Sequence, residues 1–192
     1  MNMHKFNAIL ITVGCGLLLA AAARAQDTNA PRTELDAFEA RPGVVIVRGS
    51  ADVGVVTTAT GTVLVRCKES VEASSGRKQH GIAVILTGND HQSDTTIIDY
   101  DEMDSFLGGL DFLANANWSL TSLQNFDAVY TTRDGLQAAA YSSKQRPGTI
   151  GASLKSSRAV RVRVSLASQD LALFRGLIQQ AKSKLDALHG GK

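Results

Sequence analysis

Short runs of alternating or continuous apolar residues dominate the first part of the chain, and a pattern typical of a helix follows them. Runs of this kind have the period or the length of β-strands. They predict strands over residues 35–40, 44–48, 53–58, 62–72, 81–86 and 95–98. Apolar residues then recur at three- and four-residue steps, which predicts a helix that Asp101 caps. Its buried stripe would contain Met103, Phe106, Leu107, Leu110 and Leu113.

The same order of patterns returns in the second part of the chain. Strands are predicted over residues 123–132, 136–142, 149–154 and 159–166. The last of these alternates most regularly, with Val160, Val162, Val164 and Leu166 on one face and Arg161, Arg163 and Ser165 on the other. A second helix would begin with Ser168 as its cap and bury a stripe from Leu171 to Leu188. Gly190 and Gly191 would end it.

The repeated order predicts an α+β fold of two antiparallel strand sets, each followed by one helix that packs on the sheets. Residues 33–192 would form a single domain, with repeats at 33–120 and 121–192. The segments 33–40 and 121–128 share Thr, Leu, Phe and Ala at equivalent positions, and an acidic residue follows each Phe. We therefore expect a duplication in which Phe38 and Phe126 are equivalent core residues.

The N-terminal segment has the features of a secretory signal peptide. A basic start precedes an apolar run over residues 8–23, and Ala23-Arg24-Ala25 precedes Gln26. This order predicts export with cleavage between Ala25 and Gln26, followed by a polar tether over residues 26–32. A membrane anchor is the alternative, but the run is shorter than the about 20 apolar residues that span a bilayer. Cys15 raises lipid attachment as another alternative, although the usual Leu is missing before it.

Charge is distributed unevenly along the chain. The formal net charge is +2, and Lys5 and Arg24 of the predicted signal peptide account for all of it. Residues 26–120 carry 7 basic and 14 acidic residues, whereas residues 121–192 carry 11 basic and 4 acidic residues. The exported chain would thus be neutral overall, with halves of net charge −7 and +7. Electrostatic attraction between the two halves is one interpretation of this division.

A basic sheet face is the other interpretation. Lys155, Arg158, Arg161 and Arg163 cluster around the last predicted strand and could bind an anionic ligand or envelope polymer. We take these four as the candidate ligand-binding residues.

Motifs for catalysis and for metal binding are missing from the sequence. No Gly-x-Ser-x-Gly elbow and no His-Glu-x-x-His helix occur, and we expect no cofactor and no metal site. His91 lies in a polar loop at 88–94, where a solvated turn is favoured over a metal site. The acidic cluster at 99–104 lacks the spacing of a calcium loop and is interpreted as a helix N-terminus. Cys67 shares one face of a predicted strand with Val63 and Val65, which favours a buried thiol.

Two resemblances add to this interpretation. The segment 98–104 before a Leu-rich helix, and Ser75-Gly76-Arg77-Lys78 before a strand, resemble a family of small exported bacterial proteins of unknown function. This resemblance implies a common fold and supplies no activity. The doubled strand-and-helix order is also similar to Whirly-type proteins and their transcriptional-coactivator relatives, which bind single-stranded nucleic acid. That similarity is one of architecture, and fold does not imply function.

We therefore expect an exported, non-enzymatic binding or structural module whose partner is a component of the bacterial envelope. The mature chain would have no membrane span. An alternative is binding of an anion or single-stranded nucleic acid on the basic half, for which Tyr130 and Tyr141 are the stacking candidates, with Arg133, Lys144 and Arg146 nearby. Export and overall neutrality argue against nucleic acid. A further alternative is an enzyme whose catalytic residues are scattered along the loops.

Overall fold

A computed structural model describes residues 31–142, 148–156 and 158–190 of the protein. The predicted signal peptide, its expected cleavage site between Ala25 and Gln26, and residues 26–30 of the predicted tether lie outside the described residues. The α+β fold class is confirmed: two antiparallel four-stranded sheets pack with helices.

The first sheet contains four strands in sequential order. They are β1 (Ile46–Thr58), β2 (Gly61–Glu72), β3 (Lys78–Gly88) and β4 (Ser93–Asp99). The two strands predicted at 44–48 and 53–58 form the single strand β1, which has a bulge between Asp52 and Gly54. Residues 49–52, between the two predicted strands, therefore belong to β1 as well. Because strand order follows chain order, β1 and β4 are the two edges of this sheet.

The second sheet has the same sequential order with shorter strands. They are β5 (Asp127–Thr131), β6 (Gln137–Ser142), β7 (Ile150–Ser156) and β8 (Val162–Leu166). The alternation predicted for the last strand is confirmed over β8, where Val162, Val164 and Leu166 are buried whereas Arg163 and Ser165 are exposed. Val160 precedes the strand and is 39% exposed, so its predicted inward position is wrong. Strand β8 lies closest to the first sheet, where it contacts β1, β2 and β3.

Three helices accompany the sheets. A 3-10 turn (Tyr100–Glu102) leads into α2 (Met103–Ala114), which packs on β5 and β6. The long α3 (Ser168–Gly190) packs across β1 and β2 and beside α2. The predicted apolar stripe of α2 is buried as expected. Within the part of the chain that the structure describes, no helix combines the length and the hydropathy needed to cross a membrane.

The strand predicted at 35–40 is wrong, because this segment forms the helix α1 (Glu34–Glu39). The Thr33 side chain caps it by accepting a hydrogen bond from the Asp36 N–H, and Leu35 and Phe38 are buried on one face. These two apolar residues are three positions apart, which is helical spacing. Leu35 packs with Ala83 and Ile97 on the face of the first sheet opposite α3.

The sequence match between 33–40 and 121–128 does not correspond to a structural match. The first segment lies mostly in α1, whereas the second leads irregularly into β5. Phe38 is buried, but Phe126 is partly exposed and packs edge-on against Trp118 at a ring distance of 5.7 Å. The predicted equivalence of Phe38 and Phe126 is therefore wrong, and the shared order of strands and helix is what remains in favour of a duplication.

Both sheets and the two longer helices share one hydrophobic core. Its largest fully buried side chains include Phe106 of α2 and Phe174 of α3, whose rings meet edge to face. Gly109 of α2 allows this helix to lie close to β5. A Cβ atom at Gly109 would overlap the ring of Tyr130 on β5, whereas one at Gly108 would have no neighbour within 4 Å.

Candidate binding surface

The outer face of the second sheet is the face turned away from the core. The residues of β6, β7 and β8 on this face include Gln137 and Tyr141 on β6, Gly151, Ser153 and Lys155 on β7, and Arg163 and Ser165 on β8. Lys155 lies directly opposite Arg163, and Ser153 lies directly opposite Ser165. The helices α2 and α3 pack on the opposite face, where Leu154 and Val164 are buried.

Tyr141 and Arg163 form the centre of this face. The ring of Tyr141 lies against Gly151 on the neighbouring strand, where an added Cβ would come within 2.9 Å of the ring. The Arg163 guanidinium carbon is 5.3 Å from the centroid of that ring. Arg163 Nη2 also donates a hydrogen bond of 3.2 Å to Oγ of the buried Ser153. The Arg163 guanidinium is thus held by a cation–π contact with Tyr141 and by this hydrogen bond.

Basic charge on this face has no internal counterion among the described residues. Lys155, Arg163 and the exposed Arg161, which directly precedes β8, form no ion pair there with a carboxylate. The nearest acid in the strand register is Asp127, which lies opposite Tyr141 at the far side of the sheet. Like charges directly opposite each other on neighbouring strands are unfavourable. The pair formed by Lys155 and Arg163 is thus a position at which an anion would be stabilised.

Arg158, the fourth candidate binding residue, is placed away from this face. Its Nη1 donates to Asp134 at 2.8 Å and its Nη2 donates to Asp36 of α1 at 2.6 Å. Its backbone N–H donates to Asp94 at 2.9 Å. The structure therefore places Lys155 opposite Arg163, leaves Arg161 exposed just before β8, and assigns Arg158 to the contact between the two halves of the chain.

A network of buried carboxylates surrounds Arg158 and Arg133. We call it the interhalf junction, and it consists of Asp94, Asp99, Glu102, Arg133, Asp134 and Arg158. Asp94 accepts hydrogen bonds from the Ser156 hydroxyl and from the N–H groups of Arg158 and Ala159. These bonds tie the end of β7 to the edge strand β4.

Asp99 and Asp134 connect three elements in the same way. Asp99 accepts from the N–H groups of Glu34 and Leu35 at the start of α1, and from Arg133. Asp134 accepts from the N–H of Ile97 on the outer edge of β4 at 2.7 Å. Both carboxylates are completely buried, so the backbone groups that they satisfy are withdrawn from water as well.

The acidic cluster at 99–104 thus does more than begin a helix. Asp101 was predicted to cap the helix, but it forms a two-point ion pair with Arg133 instead. Glu102 precedes α2, and its side chain caps no helix N–H group but accepts from the Arg133 N–H at 2.9 Å. The cluster does lie at a helix N-terminus, as predicted, with Asp104 in the first turn of α2, and its other acids also bind Arg133.

Two junction carboxylates are destabilised in their charged form. Burial raises the pKa of Asp134, although the hydrogen bond from Ile97 and the charge of Arg158 oppose the change. Burial also raises the pKa of Glu102, against the hydrogen bond and charge of Arg133. Oδ1 of Asp134 and Oε2 of Glu102 are buried without a hydrogen-bond partner within the described part of the protein. The lack of a donor at these oxygens also disfavours the charged form of each carboxyl group.

In every ion pair that the structure describes between the two halves, the acidic residue belongs to the first half and the basic residue to the second. Arg133 pairs with Asp99 and Asp101, and Arg158 pairs with Asp36. On the helices, Arg175 pairs with Asp111, and Lys182 lies 3.6 Å from Asp104. In each case the acid comes from the first half and the base from the second. This agrees with the interpretation that the charges of −7 and +7 attract each other within the chain.

The stacking candidates for single-stranded nucleic acid are separated by the fold. Tyr130 faces the core, where it packs on Phe106 and forms a hydrogen bond with Ser105. Arg133 is engaged in the junction, and Lys144 and Arg146 lie outside the described residues. Among the described candidates, Tyr141 is the one found on the outer face of the second sheet.

Other reactive side chains occupy structural positions. Cys67 is buried, as predicted, its thiol lies 3.7 Å from the Ala181 carbonyl oxygen, and burial raises its pKa. His80 is buried, and its Nε2 pairs with Glu69 at 3.1 Å. Burial lowers the pKa of His80 despite this partner. The ring of His189 lies between those of His80 and Tyr100, at centroid distances of 4.5 and 4.3 Å.

His91 stands at the β3–β4 turn with a φ of 62°, in the left-handed region that such turns use. Across the ranges that the structure covers, no group of three or more His, Cys, Asp or Glu side chains is arranged to hold a metal ion. Comparison with known proteins finds no matching family model and no matching curated protein.

Sequence reasoning missed two features of this region. The position of Tyr141 beside Arg163 depends on the pairing of β6 with β7 and of β7 with β8, which no local pattern specifies. The Gly151 opposite Tyr141 was the available signal, because an aromatic residue often covers a glycine on a neighbouring strand. The junction joins residues that are distant in sequence. In the sequence, only the opposite net charges of the two halves indicated that such a contact exists.

Proposed function

We propose that the protein is an exported, non-enzymatic binding module that takes an anionic ligand on the outer face of its second sheet. One observation carries the proposal: Lys155 and Arg163 face each other on a sheet face that no described helix covers, and no described carboxylate pairs with either. An anion placed between them would relieve the repulsion of the two like charges. The N-terminal pattern supports export, which would make an envelope polymer a suitable ligand.

The geometry of the face suits an extended polyanion. Arg163 is fixed by Tyr141 and Ser153, so little side-chain freedom remains to be lost when the guanidinium binds. Arg161 lies two residues before Arg163, is exposed, and extends the basic stretch beyond the start of β8. A guanidinium offers paired donors to a sulfate, phosphate or carboxylate group. Successive anionic groups of a polymer could therefore contact Lys155, Arg163 and Arg161 together.

Binding can be tested on immobilised heparin with increasing salt, followed by titration with inorganic polyphosphate. We expect wild-type retention at low salt and loss of retention in the double variant Lys155→Glu with Arg163→Glu. Removing two phosphate-type contacts should also reduce the slope of log affinity against log salt by about 1.5. Failure of the wild type to be retained at low salt would overturn the proposal.

A matched control separates a local site from a general effect of charge. The double variant Arg77→Glu with Lys184→Glu changes the net charge equally, at exposed positions away from the outer face. It should bind like the wild type; equal loss in both double variants would contradict a site at Lys155 and Arg163. A single-stranded oligonucleotide serves as a further probe, and tight binding that Tyr141→Ala abolishes would identify nucleic acid as the ligand in place of an envelope polymer.

A further inference from the structure

Strand β1 is the outer edge of the first sheet, and it is much longer than the typical strand of five or six residues. Residues 47–52 are all exposed. Among the described strands β1 pairs with β2 alone, so its other side has main-chain groups without a strand partner. A long, exposed edge of this kind is a template for pairing with another strand.

The main-chain pattern shows which groups point outward from this edge. The Val45 carbonyl accepts a hydrogen bond of 3.0 Å from the Ala73 N–H, in line with the register of β1 and β2. Antiparallel pairs alternate, so the odd-numbered residues up to the bulge bond to β2. The even-numbered residues Arg48, Ser50 and Asp52 therefore direct their N–H and C=O groups away from the sheet.

These outward-facing residues are self-complementary in charge. If β1 pairs antiparallel with β1 of a second copy about a two-fold axis at Ser50, Arg48 lies opposite Asp52 of the second copy, and the reverse pair forms by symmetry. Arg48 already contacts Glu39, and Asp52 already contacts Arg66 on the same face of the sheet. The pairing would join these contacts into a row of alternating charge. A shift of the axis to Gly49 would place Arg48 opposite Ser50 and lose both ion pairs.

The other face of the same edge is apolar. Val47 is 55% exposed and Leu188 of α3 is 53% exposed. A groove of about 180 Å³ beside Leu188 is lined by Gly49, Ala51 and Leu185, among others. An axis at Ser50 would bring the two grooves side by side and would cover their exposed apolar side chains.

We propose that β1 is the interface of a two-fold homodimer in which the first sheets of two copies join, about Ser50, into one eight-stranded sheet. The partner at this edge is a second copy of this chain, because the charged residues Arg48 and Asp52 of one copy match those of the other, and the apolar grooves of the two copies match as well. The bulge between Asp52 and Gly54 ends the regular part of the strand and confines the pairing to its first half.

Sedimentation equilibrium of the protein and of two charge variants tests this interface. We expect the wild type to dimerise and both Arg48→Asp and Asp52→Arg to weaken self-association about ten-fold or more, because each variant places two pairs of like charges across the axis. An equimolar mixture of the two variants should recover the dimer, because every cross-strand pair is then of opposite charge. The recovery depends on the register and does not follow from a loss of folding.

Arg77→Asp is the matched control, since it changes charge equally on an exposed loop. It should leave the dimer unchanged, and circular dichroism should show that all variants are folded. A wild type that remains monomeric at several hundred micromolar would overturn the proposal. So would a dimer that persists in both variants, or a mixture that associates no better than either variant alone.

Discussion

Asp134 connects the second sheet to the edge of the first through a single carboxylate. Its Oδ2 accepts from the Ile97 N–H on β4 at 2.7 Å and from Arg158 at 2.8 Å. The side chain is completely buried. Replacing Asp134 by Ala removes both bonds, and replacing it by Asn leaves an amide oxygen that can still accept from Ile97. Comparison of the two variants therefore separates the backbone bond from the ion pair.

The structure allows the two losses to be estimated. An orphaned, buried N–H group at Ile97 costs about 1–3 kcal/mol. Arg158 loses one carboxylate but retains Asp36, and its side chain is 32% exposed, so the loss of the ion pair is worth only about 1 kcal/mol. We expect Asp134→Ala to lower the free energy of unfolding by about 2–4 kcal/mol, and Asp134→Asn by about 1 kcal/mol or less.

Urea denaturation at pH 7, followed by circular dichroism, measures both values. Thermal denaturation should agree, because about 3 kcal/mol corresponds to a melting temperature lower by roughly 6–12 °C in a domain of this size. Asp90→Ala is the control, since Asp90 is exposed in a turn and accepts only from the Gln92 N–H. It should change stability by less than about 0.5 kcal/mol. Equal effects of the Ala and Asn variants, or an Ala variant no worse than this control, would refute the assigned role of Asp134.

Three further predictions concern side chains within the core and the junction. Gly108→Ala should stabilise the protein by about 0.5–1 kcal/mol in urea denaturation, whereas Gly109→Ala should destabilise it, because its Cβ would overlap the Tyr130 ring. Glu102→Gln should be more stable than the wild type at pH 7: burial raises the Glu102 pKa, so wild-type stability falls as pH rises through that pKa, and the difference should vanish below about pH 4. Cys67 should react with Ellman's reagent in denaturant and resist it in the folded protein, because it is buried.

Strands with one buried face could be predicted from the sequence, because alternation records which side meets the core. In β2, Val63, Val65 and Cys67 are buried and their neighbours are half-buried, as the pattern indicates. The edge strand β1 carries a weaker signal, since both of its faces are exposed along the first half. Its alternation is therefore not maintained by burial, and the Gly and Ser residues within it resemble a turn.

The helix α1 could have been predicted in part from the sequence. Thr33 followed by Asp36 three residues later is a helix-start pattern, and Leu35 and Phe38 have helical spacing. Six residues are too few for a helix to be stable alone. The segment is helical because Asp99 satisfies its first N–H groups and Leu35 is buried on the first sheet. Both contacts are tertiary, so no local pattern could establish them.

The uneven distribution of charge between the two halves accounts for both the junction and the candidate binding surface. The excess acid of the first half and the excess base of the second neutralise each other wherever the halves meet, and this engages Arg133, Arg158 and Arg175. Pairs with a buried carboxylate, such as Asp99 or Asp134, are screened less by salt than exposed pairs such as Arg175 with Asp111. No described carboxylate of the first half forms an ion pair with Lys155 or Arg163. The arrangement that holds the halves together thus leaves two unpaired positive charges side by side on the face where we propose that an anion binds.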